Sequence, residues 1–218
     1  MQSITLASVG HYFENQQQKI DLFNDINLTI EAGKSYAIVG QSGAGKSSLL
    51  TLAAGLETPK RGKVSAILDG KSADNMALRR ESGFIFQQFH LLPELDAISN
   101  VALPLKLKGD KRALEKARES LNRIGLGERE RHYPSQLSGG EQQRVAIARA
   151  FTNASRFIFA DEPTGNLDET TASQVSKQLF EFSKSNQSSL LVVTHSKELA
   201  SNADHIFRLS HGKLAEIQ

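Results

Sequence analysis

The chain has 218 residues, 39% hydrophobic and 23% charged, a balance that supports a folded core and excludes a disordered one. Lys and Arg number 26 against 24 Asp and Glu, so no excess of positive charge points to nucleic acid, and none is expected as a partner. The absence of Cys excludes disulfides, zinc ribbons and thiol catalysis. No run approaches the roughly 18–20 apolar residues of a membrane span, and Met1-Gln2-Ser3-Ile4 does not open a signal peptide.

Residues 3–9 and 26–30 alternate as strands do, with Asn15-Gln16-Gln17-Gln18 as a loop between them. After Gly33-Lys34, the run Ser35-Tyr36-Ala37-Ile38-Val39 reads as a buried strand that feeds a Gly-rich loop, and a helix follows over 47–54 until Gly55 stops it. Residues 64–68 before Asp69-Gly70 read as strand and turn, and 83–86 as another strand. Residues 88–136 change character. Pro93, Pro104 and Gly109 punctuate the first part, and a helix then runs over about 111–124 with Leu114, Ala117, Leu121 and Ile124 on one apolar face. This segment is expected to be an inserted helical lobe, its charge run a solvated helix face.

A core helix over 140–152 leads into a strand at 157–160. A polar helix at 170–183 precedes the strand 190–193, and residues 206–217 fold back on Ser210-His211-Gly212 as a terminal hairpin. Strands alternating with helices beside an antiparallel flank predict an α/β fold with a mainly parallel sheet, an N-terminal antiparallel β flank and an inserted α-helical subdomain.

Gly40-Gln41-Ser42-Gly43-Ala44-Gly45-Lys46-Ser47 fits the phosphate-loop pattern and stands between a predicted strand and a predicted helix. Glycines there let backbone N–H groups turn inward around phosphate oxygens at the positive end of a helix. Lys46 would reach the β- and γ-phosphates and the Ser47 hydroxyl would ligate Mg²⁺. The apolar strand 157–160 ends in Asp161-Glu162, where one carboxylate can hold Mg²⁺ and the next can polarise a water. Leu137-Ser138-Gly139-Gly140-Glu141 opens a helix with two glycines and a serine, a second N-terminus suited to an anion.

Leu137–Glu141, followed by Gln142-Gln143-Arg144, resembles the signature of ATP-binding-cassette ATPases. The resemblance extends over almost the whole chain. It implies a single phosphate-loop ATPase domain over 1–218, with residues 88–136 as its inserted helical lobe. It also implies a homodimer in which Ser138, Gly139, Gly140 and Glu141 of one copy close on ATP held by Gly40–Ser48 of the other. Gln87 resembles the glutamine that contacts Mg²⁺ and reports to a transmembrane partner, with Gln88 its rival. Asp168, in Gly165-Asn166-Leu167-Asp168, resembles the loop that crosses the dimer interface. His195 resembles the switch histidine on the γ-phosphate, and Tyr12 the aromatic that stacks on adenine, with Phe13 its rival. Ser48 stands where the family often has Thr; both supply a hydroxyl.

Phe86-Gln87-Gln88-Phe89-His90-Leu91-Leu92-Pro93 and Ala160–Asp168 resemble the branch that serves bacterial lipoprotein release, macrolide export and cell division. That implies a separately encoded membrane permease, with this chain peripheral on the cytoplasmic face of the plasma membrane. Glu162 would be the base, assisted by His195 and Lys46, with ATP and Mg²⁺ required. The alternatives are a soluble cassette ATPase of translation or DNA repair and a nucleotide-regulated interaction subunit without transport.

Overall fold

Two sheets share the chain in the computed structural model, which describes residues 2–14 and 19–218; the loop expected at 15–18 lies outside them. In chain order the elements are β1 (Ser3–Glu14), β2 (Lys19–Glu31), β3 (Ser35–Val39), α1 (Lys46–Ala53), β4 (Arg61–Leu68), β5 (Lys71–Ala73), α2 (Asn75–Arg80), β6 (Ser82–Phe86), α3 (Ala97–Leu107), α4 (Ala113–Arg123), α5 (Gly139–Thr152), β7 (Phe157–Asp161), α6 (Glu169–Ser185), β8 (Ser189–Thr194), α7 (Lys197–Ala200), β9 (His205–Ser210) and β10 (Lys213–Glu216). The first sheet is antiparallel, in the order β2-β1-β4-β5; the second runs β10-β9-β3-β8-β7-β6, parallel except for β10.

The apolar runs of β7 and β8 follow from burial on both faces. Phe157, Phe159, Leu191 and Val193 point into a core shared with α1 and the antiparallel sheet. Their neighbours Ile158, Ala160, Leu190 and Val192 point to the opposite core, built with α3, α4, α5 and α6. A polar side chain at any of these eight positions would be stranded between the layers.

The helical segment between β6 and α5 differs from expectation in two places. Pro104 does not end a helix; it lies inside α3, whose N-cap Asp96 accepts from the Ser99 N–H at 2.9 Å. Val101, Ala102 and Leu105 are buried there, and packing of α3 on α4 and α5 outweighs the hydrogen bond that Pro104 cannot donate. On α4 the buried stripe is Ala113, Ala117, Leu121 and the following Ile124, whereas Leu114 is turned to solvent. The stripe follows the i, i+4 spacing from Ala113, and Leu114 sits about 100° round the helix from it.

Neighbouring parallel strands point the same way, so everything that follows their C-terminal ends collects along one edge. Along that edge lie the loop after β3, Gln87 after β6, Asp161 and Glu162 at the end of β7, and His195 after β8.

Candidate active site

The loop from β3 to α1 takes left-handed backbone at Gly43 (φ 78°) and Gly45 (φ 92°). Gly45 is also the N-cap of α1, and no side chain caps that helix. A Cβ at Gly45 would combine backbone strain with a 3.3 Å contact to the Phe23 ring, so this turn requires glycine. Lys46 is buried, and its Nζ donates to the carbonyls of Gly40 at 2.9 Å and Gln41 at 3.1 Å. The same ammonium stands 3.8 Å from Glu162 Oε1.

Ser47 Oγ donates to Asp161 Oδ1 at 3.0 Å. Burial pushes the Asp161 carboxyl above its ordinary range and the charge of Glu162 adds to this, while the Ser47 hydroxyl and Lys46 oppose it. Glu162 sits in the left-handed region, at φ 44°, where few non-glycine residues are found. Its Oε2 accepts from Thr194 Oγ1 at 3.0 Å and from the His195 N–H at 3.2 Å, and lies 3.0 Å from His195 Nδ1. A strained backbone thus presents a carboxylate that four neighbouring groups hold in place. The Asp161 carboxylate, the Ser47 hydroxyl and the Gln87 amide on the same wall are hard oxygen donors of the kind Mg²⁺ prefers. A divalent cation would also favour the ionised form that burial disfavours at Asp161. The residues present fit the metal.

These groups line one open cleft of about 630 Å³, with Phe13 and Leu22 on one wall and Ser42, Gly43, Gly45, Lys46, Ser47 and Ser48 along the floor. Gln87, Asp161, Glu162 and His195 complete it. Gly40, Gln41 and Ala44 lie round the bend of the loop, against an adjoining hollow that Lys197 and Arg208 also line. Of the two adjacent glutamines, Gln87 reaches the cleft; its Nε2 donates to Asn166 Oδ1 and its carbonyl accepts from Asn166 Nδ2, both at 2.9 Å.

The two aromatic candidates sit differently. Phe13 lines the cleft and Tyr12 does not. The Tyr12 ring instead carries Lys19 Nζ at 4.4 Å and Lys60 Nζ at 5.7 Å. Register shifts in β1 between Leu6 and Val9, between Val9 and His11, and between His11 and Tyr12 move the strand out of simple alternation, so counting by twos from residue 3 misses the face.

Two further sets of expected residues stay outside the cleft. Ser138 caps α5: its Oγ accepts from the Glu141 N–H at 3.3 Å while Glu141 Oε2 accepts from the Ser138 N–H at 2.8 Å. Gly139 and Gly140 form the first turn between them. Asp168 caps α6 through Oδ1, which accepts from the Thr171 N–H at 3.0 Å; the Thr171 side chain, and next that backbone bond, hold its carboxyl below the usual range. Thr194, Asn166 and Gln143 escaped the sequence reading. Gln143 Nε2 donates to the Pro163 carbonyl at 2.6 Å and so ties α5 to the turn after Glu162. Gln143 stood in the signature stretch and Asn166 in the stretch ending at Asp168, but nothing local marked the hydrogen bonds they make.

The chain matches known proteins over its length. The model of the ABC transporter family covers residues 23–165, more than half of the chain. The lipoprotein-releasing system ATP-binding protein LolD of Paramagnetospirillum magneticum is 44% identical over 223 residues, covering 98% of each chain. LolD of Rickettsia bellii is 40% identical over 97% of this chain and 96% of its own. The uncharacterized ABC transporter ATP-binding protein YbbA of Escherichia coli K12 is 42% identical over 92% and 91%. Among solved structures, the dimeric MJ0796 cassette, titled a bacterial ABC transporter cassette, superposes with a TM-score of 0.84 at 34% identity over 99% of both chains. A post-hydrolysis state of the same cassette bound to ADP and Pi gives 0.84 at 33% identity. With the phosphate loop, the paired carboxylates and the signature helix in one fold, this chain belongs to the ABC transporter family, as an ATP-binding, ATP-hydrolysing cassette subunit.

Proposed function

We propose that this chain powers a membrane permease by closing as a homodimer on ATP, with Mg²⁺ held by Ser47, Asp161 and Gln87. The observation that carries the reading is the division of labour within one chain: the cleft has its loop, carboxylates and His195, but the Ser138–Glu141 turn lies elsewhere. Gly139 supports the sandwich. Among the described residues a Cβ there would meet nothing closer than 3.5 Å, at Leu167, so the fold itself does not demand glycine; a phosphate approaching from a second copy would.

In the sandwich, backbone N–H groups of the loop cradle the phosphates. Lys46 leaves the Gly40 and Gln41 carbonyls for the β- and γ-phosphate oxygens. When bound, Mg²⁺ neutralises developing charge on the phosphate oxygens. Glu162 accepts the proton of the attacking water, and His195, swung off the Glu162 carboxylate, donates to the γ-phosphate. Phe13 provides the shelf for adenine. Asp168 crosses to the partner copy. The chain acts as one ATPase domain, with the lobe over 88–136 as its permease-facing part and the contact near Gln87 and Leu92. The relatives named for a lipoprotein-releasing system support this class of partner, and the protein would be peripheral on the cytoplasmic face of the membrane through it. Among the described residues no helix is long and apolar enough to cross a membrane by itself.

The test is Glu162→Gln. Turnover should fall by about 10²–10⁴ while ATP converts the protein to a stable dimer on light-scattering chromatography, and the dimer should retain a permease co-expressed from the same host. Wild-type turnover in the variant would remove Glu162 as the base. A monomer at saturating ATP would remove the sandwich.

A further inference from the structure

We infer that His11 is a positioning residue for the base side of the cleft, an imidazole wedge that holds the Phe13 ring in its binding orientation. The inference rests on the reading of Phe13 as the adenine shelf. It explains a residue that neither the motifs nor the catalytic groups use.

His11 is 4% exposed on β1, opposite Phe23 of β2. Its Nδ1 is buried without a hydrogen-bond partner among the described residues, a desolvation cost that Leu or Phe in the same slot would avoid. What the imidazole gains is contact in three directions. Its ring meets Phe13 edge-on, with centroids 5.5 Å apart and planes at 85°, the arrangement that aromatic quadrupoles favour. It lies tilted at 6.3 Å from Phe23, the ring beside Gly45. Its Nε2 stands 3.9 Å from Glu57 Oε2, and the same carboxylate oxygen accepts from Thr51 Oγ1 of α1 at 3.0 Å.

Phe13 is 49% exposed among the described residues. A half-exposed aromatic samples several rotamers, and base stacking must then select one of them. A perpendicular ring beneath it removes that freedom before ATP arrives, which strengthens binding without new contact to the nucleotide. The imidazole also stands beside Glu57, whose carboxylate accepts from Thr51 of α1, the helix whose first residue is Lys46.

The role separates affinity from chemistry. Steady-state hydrolysis by the full chain should show His11→Leu raising KM for ATP about five-fold with kcat within about two-fold. His11→Phe, which keeps the ring edge and loses the Glu57 anchor, should raise it only about two-fold. Inhibition by inorganic triphosphate, which has phosphates and no base, should be unchanged in both. The double variant His11→Leu/Phe13→Ala should bind ATP no worse than Phe13→Ala alone, because the wedge has nothing left to hold. Equal losses for ATP and triphosphate would make His11 a general prop and overturn the inference, as would additive losses with Phe13→Ala. Unchanged KM in Phe13→Ala would instead remove the shelf itself, and is read independently of any His11 variant.

Discussion

The helices α1 and α5 both have glycine at their N-terminal turn and both were expected to meet phosphate, yet those turns are built in opposite ways. At α1 the N-cap is Gly45, no side chain caps the helix and no acid occupies its first turn, so its free N–H groups are reserved for a ligand. At α5 Ser138 and Glu141 cap each other and the carboxylate of Glu141 already sits at the positive end of the helix. The first is a receptor that is incomplete until phosphate arrives. The second is complete as a fold, and offers an anion only the N–H groups of Gly139 and Gly140 and the Ser138 hydroxyl. One would therefore bind nucleotide alone, and the other only after the first has fixed a phosphate in front of it.

The largest effect should fall on the receptor. Lys46→Ala removes the one ammonium within reach of the loop carbonyls and should weaken ATP binding about 100-fold by titration calorimetry, as expected for lost charge-assisted hydrogen bonds. Ser138→Ala should leave ATP binding by the monomer unchanged; equal weakening by both variants would erase the contrast. The two glycines of α5 come next. Gly140→Ala drives a Cβ into Thr171 Cγ2 and should cost about 1 kcal/mol, or about 2–4 °C in Tm. Gly139→Ala meets nothing closer than 3.5 Å and should leave Tm unchanged while abolishing turnover. A loss of Tm in Gly139→Ala would mean that the fold, not the partner, needs that glycine.

Ser138→Ala also removes a cap, at about 1 kcal/mol by chemical denaturation. The smallest effect is pH dependence. The Ser138 N–H is the main influence holding the Glu141 carboxyl below its ordinary range. A folded-state pKa below the unfolded value means that Glu141 stabilises the fold above about pH 4.3 and loses that contribution as pH falls through the folded pKa. Tm curves of the wild type and Glu141→Gln should therefore differ at pH 7 and converge as pH drops below 4.

Where a residue's role is fixed by its neighbours in sequence, the chain was easy to read. The loop from Gly40 to Ser47 shows its strand before and its helix after, and the apolar run ending at Asp161 reports a strand buried on both faces. Which of Tyr12 and Phe13 faces the cleft was not legible, because β1 carries bulges that no sequence pattern records. Pro104 misled because local propensity says nothing of the packing that holds α3 together. Leu114 misled because Ala113 is too small to mark a stripe by hydropathy, although it is the residue that packs. Thr194 and Asn166 act through partners 32 and 79 positions away, a relation visible only once the strands are side by side.

The absence of the Ser138–Glu141 turn from the cleft has a genetic consequence. On the sandwich reading, each working site draws its phosphate loop from one molecule and its signature from another. A chain crippled at Lys46 and a chain crippled at Gly139 are each inert alone, but a mixed pair still contains one site with both parts intact. Two null alleles in one cell would then complement each other, and a wild-type chain paired with either mutant would keep one intact site in the same way.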